Sequence, residues 1–195
     1  MHRNVSGTLT QMGQILQVNN AVVTEVFTRS RTTGYIDIIY ARPERNEIIA
    51  EPLRLNAGIY TDIINSFGQH MCLCDIQEGM LADSLFSPIM ERRIPPQANA
   101  YLIVVREYGQ PPLSSTTARI TKVDIDNLLL YTNDPDNPEN QIEFSVSNMA
   151  TVRGKDGYPV PFLLLRPGLL VNVTHSDIQT EVFPHLADAF HIQIL

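Results

Sequence analysis

Residues 79–105 read GMLADSLFSPIMERRIPPQANAYLIVV, and residues 168–194 read GLLVNVTHSDIQTEVFPHLADAFHIQI. The two align without a gap at an offset of 89 residues. The identities are Gly79/Gly168, Leu81/Leu170, Ser87/Ser176, Ile89/Ile178, Pro95/Pro184, Ala98/Ala187, Ala100/Ala189 and Ile103/Ile192. Ile94/Phe183, Asn99/Asp188, Tyr101/Phe190 and Val105/Ile194 keep their character. A period this long implies duplicated domains rather than a solenoid. It points to an architecture and does not reach a chemistry.

Working outward, residues 116–123 (TTARITKV) resemble 5–12 (VSGTLTQM), with Thr121 against Thr10 and Ile120 against Leu9. That offset is 111, which would place about 22 extra residues inside the first copy. Strand patterns also appear at 21–28, 35–40 and 46–55, where Pro52 hints at an edge or bulge. Ile59, Ile63, Ile64 and Phe67 share one helical face, Asn56 can cap the start and Gly68 can close the end. The spacing predicts a helix over 58–67, inside an insertion near 56–69. In the second half, strands are expected at 117–124, 127–132, 141–147 and 158–165, broken by the turn-rich run NDPDNPEN at 133–140. The domains expected are therefore 1–108 and 116–195, with 109–115 as linker, marked by Gly109, Pro111 and Pro112.

Many short strands with frequent turns argue an all-β sandwich or barrel. About five strands per copy fit a Greek-key barrel of the OB type. The tail motif Gly79, Pro95-Pro96-Gln97 and Ala100 resembles that of small bacterial domains of uncharacterised function. Those carry a glycine, a strand, a Pro-Pro-Gln turn and a last strand entered through an alanine. The second copy departs from it, with Phe183-Pro184-His185-Leu186 in place of Ile-Pro-Pro-Gln. The resemblance implies two tandem OB-like barrels and no activity. Fold likeness does not license a function.

Composition narrows the partners. The net charge is −7, from 14 basic and 21 acidic residues. Such a surface repels polyanions, which disfavours nucleic acid and anionic membrane. A local basic patch from Arg42, Arg45, Arg92 and Arg93 remains open. No apolar run approaches the ~18 residues of a membrane helix. The N-terminal stretch has no signal-peptide pattern, so a cytoplasmic location is expected.

Cys72 and Cys74 are the two cysteines. On an extended chain their Cα atoms would lie ~6.6 Å apart, near the upper limit for a disulfide. Free thiols, in a reducing compartment, are expected. With His70 they would share one strand face, a soft donor set for zinc or copper(I). The plainer reading is two buried thiols and a surface histidine. Four ligands would need His175, His185 or His191 brought in by the fold.

Three other clusters carry weaker chemistry. Asp134, Asp136 and Glu139 offer oxygen ligands of the kind calcium takes, without the spacing of an EF-hand. His175-Ser176-Asp177 holds the residue types of a hydrolase triad, but adjacency is not triad geometry. Neither a nucleophile elbow nor a phosphate loop is present. Asn4 and Asn172 sit in glycosylation sequons, which matter only on secretion. Phe27, Tyr35, Tyr40, Tyr60, Tyr101 and Phe144 could stack bases on a barrel face, although core packing explains most of them.

One asymmetry stands out. The last strand of the second copy alternates, with Phe190, Ile192 and Ile194 facing one way. Its counterpart is apolar on both faces, because Leu102 and Val104 join Tyr101, Ile103 and Val105. Such a strand wants cover on both sides. Leu102 and Val104 are thus expected to meet the other domain or a second subunit. The sequence supports a non-enzymatic interaction or assembly module, with no cofactor. The alternative is a binder of single-stranded nucleic acid or a small polar ligand on a barrel face.

Overall fold

A computed structural model describes residues 7–44, 47–133, 140–179, 181 and 183–195. The chain is all-β and divides into two compact units, Met1–Pro112 and Leu113–Leu195. Unit 1 holds β1 (Thr8–Met12), β2 (Ile15–Thr28), β3 (Gly34–Glu44), β4 (Glu47–Ala57) and β5 (Asp62–Asn65). A 3₁₀ turn (Leu73–Asp75), β6 (Leu81–Phe86) and β7 (Gln97–Arg106) follow. Unit 2 holds β8 (Ser114–Asp124), β9 (Leu129–Asn133), β10 (Gln141–Arg153), a 3₁₀ turn (Phe162–Leu164), β11 (Leu170–His175) and β12 (His185–Ile194).

Unit 2 is a closed five-stranded barrel in the order β10-β12-β11-β8-β9. The β10–β12 pair is parallel and the others are antiparallel. In unit 1 the pairings also return on themselves. β2 pairs β3, β3 pairs β4, β4 runs parallel to β7, β7 pairs β6, and β6 pairs β2. β1 adds a hairpin arm to β2, and β5 lies parallel to β7 beyond the end of β4. Pro52 sits where it costs no ladder bond to β7, since that pairing begins only at Arg54.

Each unit has its own apolar core. Ile36, Ile38, Leu53, Leu55 and Ile103 are buried inside unit 1, and Leu130, Phe144, Val173 and Ile192 inside unit 2. Along the parallel pairs, Leu55 stands beside Ala98 and Phe144 beside Ala187, a large residue next to a small one in each case. Alternating large and small side chains is how a narrow barrel fills its interior. The paired glycines are explained by backbone. Gly79 and Gly168 have φ of 90° and 91°. Their N–H groups donate to Val23 O and Ile120 O, both at 2.8 Å. Only glycine enters that conformation without strain. The Ile94-Pro95 and Phe183-Pro184 peptides are both cis.

Two expectations fail. The strand that pairs β6 is β2, as β8 pairs β11, so in the pairing order 116–123 takes in unit 2 the place that β2, and not the arm at 5–12, takes in unit 1. In that order Thr24, not Thr10, stands in the position of Thr121. Both lie at a one-residue bulge, and both hydroxyls donate across the ladder at 3.1 Å, to Asp37 O and Tyr131 O. A side chain that satisfies the backbone at a bulge is a local feature that a strand-alternation search does not see. Nor is there a 22-residue insertion. Nine residues separate the paired Val26 and Ile36, against six between Val123 and Leu130. Eighteen separate Ile36 and Leu55, against thirteen between Leu130 and Phe144. The surplus is eight residues, at hairpin ends.

The helix expected over 58–67 is likewise absent. Gly58–Thr61 is a turn, closed by Thr61 N–H to Gly58 O and by Gly58 N–H to Thr61 Oγ1. Asp62–Asn65 is β5, with Ile63 opposite Ile103. Ile63 and Ile64 are buried while Ile59 and Phe67 are exposed, so the supposed helical face is split. β-branched isoleucines favour extended backbone. The segment has a counterpart, because Thr151–Arg153 pairs with β12 as Asp62–Ile64 pairs with β7.

Candidate functional site

The cysteines lie on the 3₁₀ turn between β5 and β6, not on a strand. Leu73 anchors the turn, fully buried, and its N–H donates to Arg31 O at 2.7 Å. Cys72 caps it: its Sγ accepts from Cys74 N–H at 3.1 Å, and its own N–H donates to Asp75 Oδ2 at 3.2 Å. This is a capping box with sulfur in the hydroxyl's place. The turn brings the two Cα atoms to 5.0 Å, and Cys72 and Cys74 form a disulfide. The expectation of free thiols fails because the chain is wound here rather than extended. Cysteine state therefore lends no support to a reducing compartment.

His70 does not join the sulfurs. Its Nδ1 lies 3.0 Å from Oδ1 of the buried Asp62. The donor atoms that gather are those of Cys72, Cys74 and Asp75, all within 4.8 Å of one another. Asp75 was missed in the sequence, although its i+3 spacing from a capping residue was the available signal.

On the outer face of unit 1, Tyr35 is a stacked centre. The Phe27 ring lies 5.2 Å away at 19°. The Arg54 guanidinium sits 3.6 Å from the Tyr35 centroid. Arg54 is fixed by a fork to Asp37, with Nε and Nη2 each 2.7 Å from a carboxylate oxygen. Tyr35 Oη donates to Glu25 at 2.7 Å, and that bond pushes the phenol pKa up. Arg54 escaped the sequence reading. Its signal was the alternation of β4, which puts it on the face opposite the buried Leu53 and Leu55. In unit 2, Lys122 lies 4.9 Å over Tyr131, and Glu143 stands opposite Tyr131 on the neighbouring strand.

His175, Ser176 and Asp177 do not make a triad. His175 is buried, with Nδ1 donating to Ser176 O at 2.6 Å and Nε2 accepting from Thr116 Oγ1 at 2.8 Å. Burial pushes its pKa down. Both ring nitrogens are engaged, and Ser176 Oγ accepts from Asp188 N–H rather than donating to an imidazole. Asn172 is 2% exposed and bonded to Ser115 and Thr117, so its sequon is closed to modification in the folded chain. The acidic run 134–139 and Asn4 lie outside the described residues.

Leu102 and Val104 are 2% and 3% exposed. They are covered within this single chain, so a second subunit is not what buries them. Apolar groups reach solvent at many other places, among them Ile48, Ile59, Phe67 and Tyr108, and two of the connections between strands carry such groups. Ile89 and Ile94, in the β6–β7 connection, are 82% and 101% exposed, and Phe183 in the β11–β12 connection is 69% exposed. The first of these loops is held in shape. Ile89 N–H donates to Ser87 Oγ, Glu91 pairs with Gln97, and Arg93 bonds Glu91 through its side chain. Among the described residues, no helix is long and apolar enough to cross a membrane. No family model and no curated protein matches the chain.

Proposed function

We propose that the protein is a non-enzymatic interaction or assembly module made of two copies of one OB-type barrel. The copy relation is supported by two barrels that share strand order, one parallel pair, a bulged threonine and a positive-φ glycine. The OB-type reading is supported by the order itself. Five strands run as a Greek key, with the third parallel to the fifth and a short helical turn between the third and fourth.

The observation that carries the interaction reading is the β6–β7 loop. It is braced by hydrogen bonds yet turns Ile89 and Ile94 to water. Single exposed apolar residues are ordinary, so the reading rests on two of them lying on one braced loop, where together they can form a contiguous apolar patch of the kind that marks docking. Because the loop is already shaped, little ordering entropy opposes association. Ile89→Asp with Ile94→Asp tests it. Light scattering across a concentration series should show a rise in mass for the parent chain and its loss in the variant. A parent mass flat with concentration, together with no mass change on mixing with candidate protein partners, would remove this reading.

The alternative rests on Phe27, Tyr35 and Arg54. Stacked aromatics with a cation on a barrel face suit a base or a sugar. The neutralising fork from Asp37 and the net charge weigh against a polyanion. Salt-dependent retention on single-stranded DNA, lost in Tyr35→Ala, would favour it over the leading reading.

A further inference from the structure

We infer that the Cys72–Cys74 bridge is the closed form of a thiophilic cation site, opened by reduction. The bridge spans one residue, Leu73, so the loop it closes is very short and it constrains the unfolded chain little. It is not what shapes the turn. Asp75 N–H to Cys72 O, Ile76 N–H to Leu73 O and Leu73 N–H to Arg31 O hold the backbone already. Unit 2 makes the same point. Its turn Phe162–Leu164 closes with Leu165 N–H to Phe162 O, and Pro161, Leu163 and Leu164 stand where unit 1 has Cys72, Cys74 and Asp75. The fold needs the turn, and only unit 1 puts donors on it.

Those donors suit a soft divalent cation. Two thiolates and a carboxylate are three ligands of the kind zinc takes, with water left for the fourth position. Their atoms already lie within 4.8 Å of one another. The backbone N–H groups orient two of the three, one on Cys72 Sγ and one on Asp75 Oδ2. A donor on sulfur favours the thiolate over the thiol.

Opening is thiol–disulfide exchange. The thiolate of an external dithiol attacks Sγ of Cys74, on the exposed residue of the pair. The S–S bond breaks and its electron pair leaves on Cys72 Sγ, beside the Cys74 N–H. The second thiol of the reductant then displaces Cys74 and closes its own disulfide. The protein gains two electrons and two protons. Binding of Zn²⁺ releases those two protons, since the metal takes thiolates.

The inference is independent of the interaction reading, because it uses neither loop. The test uses the full chain, reduced with a dithiol and freed of it without oxygen. Co²⁺ is the probe, since thiolate ligation gives it an intense near-ultraviolet charge-transfer band. The reduced chain should take up one equivalent with that band, and Zn²⁺ should bleach it. The oxidised chain should show none. Cys74→Ser and Cys72→Ser should each weaken Zn²⁺ binding at least tenfold. Asp75→Asn should weaken it several-fold with the far-ultraviolet circular dichroism unchanged. No band in the reduced parent, or Zn²⁺ retention in Cys74→Ser equal to the parent's, overturns the inference.

Discussion

The two units solve the same closure with different interiors and different surfaces. Where unit 1 buries Leu55 at the parallel pair, unit 2 buries Phe144. Where unit 1 ends β6 with Phe86, unit 2 ends β11 with His175, tied to Thr116 and to its neighbour's carbonyl. On the outer face the charges are exchanged, with Glu25 and Arg54 in unit 1 against Lys122 and Glu143 in unit 2. What is held constant is backbone: the bulge at threonine, the positive-φ glycine and the parallel third-to-fifth pairing. The contrast teaches that the barrel is specified by where the chain must bend and close. Side-chain chemistry is free to differ between the units once volume is satisfied.

The comparison can be broken most readily in the core. Phe144→Ala should destabilise unit 2 by about 3–5 kcal/mol and Leu55→Ala should destabilise unit 1 by about 2–5 kcal/mol. Denaturant unfolding followed by unit-specific hydrogen exchange would place each loss in its own unit, and a loss shared equally would contradict the separation of the two cores. Next comes the approach of backbones. A Cβ on Gly34 would stand 2.0 Å from Phe27 O and 2.8 Å from Leu73 Cδ2. Gly34→Ala should therefore cost about 3 kcal/mol by overpacking and strain. Gly168→Ala meets open space and should cost only about 1–2 kcal/mol from its positive φ. Thermal melting that ranked the two the other way would refute the contact.

Smaller effects sharpen the surface contrast. Arg54→Ala removes the fork that serves the half-buried Asp37 and should cost about 1–2 kcal/mol. Its counterpart Glu143 is half-buried and meets the Tyr131 phenol rather than a fork. Glu143→Ala should cost only about 0.5 kcal/mol, near the limit of a surface change. Equilibrium unfolding of the two variants checks the order.

His175 gives a pH signature confined to unit 2. Burial holds its folded pKa below the ordinary value of 6.5. The unfolded chain then binds a proton that the folded chain refuses. Stability from this site is therefore full above about pH 6.5 and falls as the solution is acidified toward the folded pKa. His175→Phe, which installs the residue that unit 1 uses, should flatten the fall between pH 7 and pH 5. An unchanged slope in urea unfolding would show that His175 does not carry it.

Much of this was legible in the sequence, and the rest fails for physical reasons. The closing ribbon at 79–105 and 168–194 could be aligned because glycine, cis-capable proline and small core alanines tolerate few replacements. The opening strand could not, since only a bulged threonine and the buried alanines Ala21 and Ala118 mark it. That signal is weaker than the alternation of the arm at 8–12. The isoleucines at 59–67 satisfy helical spacing and strand preference alike, and the edge offered by β7 decides between them. The cysteines read as strand residues in the sequence because turns of three residues leave no periodicity. Asp75 and Arg54 belong to the site through cross-strand and capping geometry, which linear spacing shows only once the registers are known.

The eight surplus residues of unit 1 sit at hairpin ends, where the strand registers on either side stay intact. Such rims behave as docking ports for sequence variation. The connection from β2 to β3 should accept trimming to the length used between β8 and β9 while the staves of the barrel keep their pairing, provided a carbonyl remains where Arg31 O receives the Leu73 N–H. Length can thus change at such a rim while the wall beneath it keeps its register.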